Sequence, residues 1–489
     1  MISQYSLEEL AKICSGHWVN IQGNHYFKDV QLDHRKMKKN SIYIAIKGAN
    51  HDGHKFVSKL LKKFNHAAIV EKEIYSSNIP QLIVKNSIRA LQKLAKTNSL
   101  STKAMKIAIT GSVGKTSTKE MLVKILSKNK THSNFGNLNN HIGLPLTLAQ
   151  TPENTKFLIA EMGMNKANEI KYLSKIMNPN ICVITKIANS HIGNFKSLED
   201  IAKAKSEIFL GNKDKKTAVL PRDDKYYYLL KKTAKLNNFS KIVSFGKHSE
   251  SNIKLLKIEY LNNQMKVYFS FINKVSKKPT TLMLKLKMVG SHWVNNALCA
   301  IATCYALNLN LKFCVKELES FTNLNGRGEE IKIDYKNRKI LIIDDSYNAS
   351  PESMTAALEV LSLKKTTLNS AVLSDMLELG KHSKSFHSSL AKKILQAKIK
   401  KLVAIGPEMK ILEKLLPSKI QTYFYNDYSE AIKKFDPLMN DFLLSSDSIL
   451  IKGSNNSGAK FFLNNILAYL KLKHSSKLTN LSSEDKIAS

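Results

Sequence analysis

The stretch MKIAITGSVGKTSTKEM, Met105 to Met121, orders its residues in a way that suits the binding of nucleotide phosphates. A short apolar strand ending at Thr110 breaks into Gly111, Ser112, Val113, Gly114, Lys115, Thr116 and Ser117, and Thr116 to Leu126 reads as a helix. Successive backbone N–H groups in such a loop, with the helix N-terminus behind them, form an anion site. Lys115 is placed to reach the outer phosphates, and the Thr116 hydroxyl to ligate Mg²⁺. The spacing differs from the common G-x-x-x-x-G-K-[ST] loop, because Ile109 stands five before Gly114 and Gly111 only three before it. A metal held there needs a carboxylate from a neighbouring buried strand. KFLIAEMGMN supplies one in Glu161, an acid that is costly after four apolar residues unless it meets a cation. Gly163 is expected to let the chain turn away after it.

The elements that must carry these residues follow from the patterning. KIAIT, KFLIAEMG and NICVIT are near-continuous apolar runs alternating with helical pieces, as in a parallel sheet covered on both faces. Between about 216 and 290 the pattern turns to alternating strands, MKVYFSFI and TLMLKLKMVG, and predicts an antiparallel patch attached to the central domain. After NGRGEE a third alternation begins with KILIIDDSYN and a helix from Ser353. The expected fold class is therefore α/β with three domains. These are a small mixed α/β N-terminal domain (1–103), a central P-loop parallel-sheet ATPase domain (104–323) and a C-terminal Rossmann-like α/β domain (324–475). A disordered tail is expected over 476–489.

Composition bounds the partners. The 489 residues carry a formal charge of +37, but only five of the 76 basic residues are arginine (Arg35, Arg89, Arg222, Arg327, Arg338). The lysines are spread from end to end rather than gathered in a patch. That is the mark of a lysine-rich solvated surface, not of a dedicated nucleic-acid binder. Such a surface still steers anionic substrates inward. The five cysteines form no C-x-x-C pair and fit a reducing compartment. No basic leader with an apolar core opens the chain, and no run of about 18 apolar residues appears, so a cytoplasmic protein without a membrane span is expected.

Eight stretches occur in one order: TGSVGKTSTKE, NFGNLNNHIGLPLTL, AEMGMN, ANSHIGNFKSLEDIAKAKSEIF, GSHWVNNALCAIA, NGRGEE, DDSYNASPESM and LSDMLELGKHS. Together they resemble the Mur ligases of bacterial cell-wall synthesis, from about residue 30 to about 460. T-G-x-x-G-K-T is that family's form of the phosphate loop. The resemblance implies an ATP-dependent ligase that joins UDP-N-acetylmuramoyl-tripeptide to D-alanyl-D-alanine, working as a monomer with two Mg²⁺ ions.

Residue by residue, the resemblance places Lys115 and Thr116 on the ATP phosphates and makes Glu161 a carboxylate shared with Mg²⁺. It makes His191 a ligand of the second Mg²⁺, and Lys205 a lysine carbamylated by CO₂ so that it too can hold metal. Asn296 lies at the adenine, Arg327 reaches the phosphates, Asp345 bonds the ribose, and Tyr347 and Asn348 share its loop. Trp293 stands where the family pattern has asparagine. In LDHRKMKKNSIYIAIKGANHDGHKF, Asp33, Arg35, Lys47, Gly48, Asp52 and His54 match the region that binds the UDP end, with His34 in place of serine. Asn137, Asn139 and Asn140 are implied to face the muramoyl peptide, and Asp375 and Glu378 to lie near the dipeptide.

The rivals lack their marks. A diaminopimelate- or lysine-adding sibling should carry D-N-P-R in the last domain, folylpolyglutamate synthetase lacks the first domain, and a GTPase needs N-K-x-D. Because Arg327 and Lys115 fall in different expected domains yet serve one phosphoryl group, open and closed arrangements coupled to ATP are expected. Small-angle scattering should change when an ATP analogue and both substrates are added; an unchanged curve counts against closure.

Overall fold

The computed structural model describes residues 5–470, apart from 24, 49, 211–215, 262 and 365; the tail expected to be disordered lies outside them. The chain divides into two compact units. The first comprises Met1–Lys186, Ala202–Lys254 and Leu298–Cys314; the second comprises Ile187–Ile201, Leu255–Ala297 and Val315–Ser489.

In the first unit the apolar runs pair as six parallel strands. From the edge inward their order is Thr131–Ser133, Phe157–Glu161, Met105–Thr110, Ile181–Ile184, Thr217–Pro221 and Lys241–Gly246. Glu161 lies opposite Ile109, and Ile184 opposite Thr110. The phosphate loop and the acid therefore leave the sheet side by side at its carboxyl edge, where open α/β sheets bind ligands. The parallel sheet extends further than expected, since Thr217–Pro221 and Lys241–Gly246 both join it. Antiparallel pairing, as expected, joins Gln264–Ile272 to Pro279–Leu286 in a hairpin of the second unit. Its alternation is visible in the burial of every second residue from Met265 to Phe269.

A smaller five-stranded sheet precedes it, in the order His17–Val19, Gln81–Ile83, Ala67–Val70, Ser41–Ile44 and Asp29–Gln31, antiparallel only at the first pair. Its core of Leu10, Ile42, Ile69, Leu82, Leu91 and Leu94 takes in Leu146 and Ala149 from the helix Gly143–Ala149. The amide of Asn98, on the helix Ser87–Ser101, donates to the Leu148 carbonyl at 2.7 Å. The helix following Asn137–Asn140 is thus anchored by core packing.

The second unit holds a six-stranded sheet in which Arg338–Asp345 pairs antiparallel with Glu329–Tyr335. Beyond it Ser448–Lys452, Asn369–Ser374, Ile399–Ile405 and Gln421–Tyr425 follow in parallel. The helix expected from Ser353 begins at Pro351. Ser350 accepts from Ser353 N at 3.3 Å, the Ser353 hydroxyl accepts from Ser350 N at 2.8 Å, and proline fits the first helical position because no donor is needed there.

Candidate active site

The phosphate loop is held open by its neighbour. Ser112 N donates to Lys186 O at 2.8 Å, and the Thr185 hydroxyl donates to Val113 O at 2.6 Å. Gly111, at φ +151°, passes so close to Thr185 that a Cβ would lie 1.9 Å from its Oγ1; only glycine fits. Gly114, at φ +84°, turns the chain into the helix Lys115–Leu126, whose second residue is Thr116. Lys115 Nζ folds back onto Gly111 O at 2.8 Å, so the ammonium stands over the loop.

Glu161 is buried, and both its oxygens are engaged. Thr116 Oγ1 donates to Oε2 at 2.7 Å, and Asn139 Nδ2 donates to Oε1 at 3.1 Å. A hydroxyl beside a carboxylate at the mouth of a phosphate loop is a hard oxygen donor set that fits Mg²⁺. Asn139 also explains Gly163. Its backbone is not in the left-handed region; a Cβ there would instead lie 2.8 Å from Asn139 Oδ1. Asn137 and Asn140 are exposed, and Asn140 Oδ1 caps the next helix by accepting from Gly143 N at 2.9 Å. Lys205 is fully buried; burial, and secondarily the Lys115 ammonium, push its pKa well down, so its neutral amine is favoured. Its implied partner in metal binding, His191, belongs to the second unit.

There His191 pairs with Glu378, whose carboxyl the imidazole holds below its usual range. The two loops are stitched together: Gly193 N donates to Glu378 O at 3.0 Å, and Asn189 Nδ2 donates to Glu352 Oε1 at 2.6 Å. Asp375, expected near the dipeptide, is buried and accepts from Met409 N at 3.0 Å; burial pushes its pKa up, so it acts as a turn-holding acceptor. Arg327 lies over the Tyr347 ring at 4.1 Å on a loop bounded by Gly326 and Gly328, both in the left-handed region. Asp345 accepts from the buried Lys452 Nζ at 2.7 Å, and that ammonium also donates to Asn348 O at 3.0 Å. Asn296 is buried on the helix Ser291–Ala306. Trp293, 3% exposed, packs against Phe321 as a core residue. With His292, Asn323, Glu330 and Asp345 it lines a cavity of about 20 Å³, and His292 Nδ1 and Asn323 Oδ1 are buried there without a hydrogen-bond partner among the described residues.

In the first sheet Asp33 and Arg35 form a two-pronged pair, both contacts at 2.9 Å, which lowers the Asp33 pKa to about 2. His34 stacks on Phe56 at 4.5 Å. Lys47 and Asp52 bridge across a tight turn closed by Gly48 N donating to His51 O at 2.8 Å. Asp52 accepts from His54 N at 3.0 Å, so Asp52 and His54 shape the turn themselves.

Residues 109–304 match the Mur ligase middle domain, and residues 326–455 the Mur ligase glutamate ligase domain. The UDP-N-acetylmuramoyl-tripeptide–D-alanyl-D-alanine ligase of Rickettsia prowazekii is 35% identical over 429 residues, 87% of this chain and 92% of its own length. The chain belongs to the Mur ligase family. Members of the family are ATP-dependent, ADP-forming amide ligases. Among solved structures, MurF from Acinetobacter baumannii superposes with a TM-score of 0.82 at 29% identity, covering 96% of this chain and 99% of that one. A MurF ligase from Thermotoga maritima in complex with ADP gives 0.73 at 25% identity, covering 91% and 98%.

In this Mur ligase the sequence reading missed Asn134. Buried beside Glu161, it accepts from Glu161 N at 3.0 Å and donates to Glu161 O at 3.1 Å. Its signal was an asparagine at the start of the same asparagine-rich loop. The Mur ligase also buries His292, whose pKa falls to about 4 through burial and then through Lys452. The folded value lies below the ordinary 6.5, so the unfolded chain takes up this proton first and stability falls as pH drops from about 6.5 to 4, by about 3 kcal/mol in all. Replacing His292 by Asn should flatten that part of a urea-denaturation profile against pH; an unchanged profile would exclude the residue as its source.

Proposed function

We propose that this Mur ligase joins D-alanyl-D-alanine to the terminal carboxyl of UDP-N-acetylmuramoyl-tripeptide, cleaving ATP to ADP and phosphate, in peptidoglycan precursor synthesis. The observation that supports it most is the clamped loop bearing Lys115 and Thr116 beside buried Glu161. It occurs in a chain 35% identical to a ligase of that name over 92% of its length. An oxygen of the tripeptide carboxylate attacks the γ-phosphorus, and the bond to ADP breaks, giving an acyl phosphate. The dipeptide nitrogen then attacks the acyl carbon, phosphate departs from the tetrahedral adduct, and the amine proton is lost. Negative charge grows on oxygen in both steps. Lys115 and Arg327 supply fixed positive charge against it. Mg²⁺, for which Thr116, Glu161, His191 and a carbamylated Lys205 are the proposed ligands, would supply further neutralisation of phosphate charge.

The same proposal includes small-molecule substrates, no nucleic-acid partner, a working monomer and a cytoplasmic setting. All five cysteines are buried free thiols, and among the described residues no helix is long and apolar enough to cross a membrane. Lys205 belongs to it through its chemistry. A neutral amine attacks CO₂, an N–C bond forms, one proton leaves, and a carbamate anion replaces a buried base.

Phosphate release by the purified protein should require ATP, the tripeptide precursor and D-alanyl-D-alanine together, with the pentapeptide product seen by mass. Lys115→Ala should lower the rate about 10²-fold or more. Release with a single amino acid in place of the dipeptide would move the chain to a sibling step. Protein equilibrated with ¹³C-bicarbonate should show a carbamate carbon by NMR that is lost in Lys205→Arg; no such carbon in the unmutated protein would remove the modification.

A further inference from the structure

Phe135 is 87% exposed, which is unusual for a residue so near a buried carboxylate. Its predecessor Asn134, 1% exposed, cannot shift away. Its amide exchanges two hydrogen bonds with the Glu161 backbone, donates to Leu138 O at 2.9 Å, and its carbonyl accepts from the buried Lys119. One chain step of about 3.8 Å separates Phe135 from that anchor. On the other side Gly136, at φ +58°, turns in open space. Leu138 N then closes onto Phe135 O at 3.2 Å, and Asn139 returns to Glu161 Oε1. The loop is tied to Glu161 at both ends, and its one aromatic ring is left in solvent.

The topology says what approaches that ring. Thr131–Ser133, from which the loop emerges, lies on the far side of Phe157–Glu161 from the strand that feeds the phosphate loop. The two loops also take different oxygens of Glu161, Thr116 holding Oε2 and Asn139 holding Oε1. The phosphate loop thus stands on one side of Glu161, and the loop that bears Phe135 stands on the other. We propose that Phe135 is a substrate-positioning residue, its ring lying over the reacting end of the muramoyl-tripeptide. This rests on the ligase reading above. The aliphatic stem of the peptide next to that carboxyl offers apolar surface to the ring. The covered position also keeps water from the acyl phosphate before the amine arrives.

Steady-state kinetics of Phe135→Ala and Phe135→Tyr test it, with phosphate and amide product counted together. The alanine variant should raise KM for the tripeptide precursor about tenfold or more, leave KM for ATP and Tm unchanged, and release more than one phosphate per amide formed. Tyrosine should restore all of these. In Phe135→Trp, the precursor without ATP should change the new indole's emission. Unchanged KM and coupling in the alanine variant, an equal rise in KM for ATP, or emission that responds to ATP alone would each overturn the assignment. If the unmutated protein itself releases no phosphate with the precursor, the ligase reading fails, and this proposal fails with it.

Discussion

A carboxylate buried at a strand end governs the geometry of the first unit. An ionised Glu161 can be buried only where polar groups surround it, because its desolvation is uncompensated otherwise. The fold meets that demand from three directions. Thr116 comes from the helix behind the phosphate loop, Asn139 from the loop after the edge strand, and Asn134 holds the backbone on either side. Each partner fixes something else in turn. Thr116 can reach the acid only if Gly111 lets the loop pass Thr185, and Asn139 can reach it only if residue 163 has no Cβ. The site's glycines and asparagines are thus consequences of where one charge lies.

What the sequence made legible was what local chemistry dictates. Strand, glycines, Lys115-Thr116 and helix are contiguous, so their order alone announces an anion site, and Glu161 stands out because an acid closes an apolar run. The parallel strands read correctly for the same reason. What stayed hidden depends on register between distant segments. Asn134 and Asn137 look alike in NFGNLNN, yet the edge strand's pairing buries the first and exposes the second. His191 and Glu378 are far apart in the chain, and nothing in either segment foretells their pairing. Thr217–Pro221 is too short to reveal its direction by period, so the sheet's extent was underestimated. The helix begins at Pro351 rather than Ser353, because Ser350 caps it and Ser353 is the partner three residues on.

Lysine composition hid the lysines that matter. With so many on solvated faces, none draws notice singly, yet Lys119, Lys205 and Lys452 are almost wholly buried. Their environments separate them. Lys119 donates to the Asn134 carbonyl beside the acid, whereas Lys452 joins Asp345 to the Asn348 carbonyl. Lys205 faces desolvation and a second ammonium, which disfavour its proton. Lys119 and Lys452 are buried against oxygen acceptors, whereas Lys205 is buried near another ammonium, which disfavours its protonated form.

The same logic orders the second unit. Lys452 acts on two neighbours with opposite effect. It offers Asp345 a counter-ion, against which burial still wins, and it adds to the burial that keeps His292 neutral. Removing its charge would leave the half-buried Asp345 carboxylate without its donor and at the same time relax the pressure on His292. The two consequences oppose each other in any stability measurement below neutral pH. Truncating Lys452 therefore does not report the worth of one ion pair. Only a double-mutant cycle with Asp345, run above the range in which His292 titrates, isolates it.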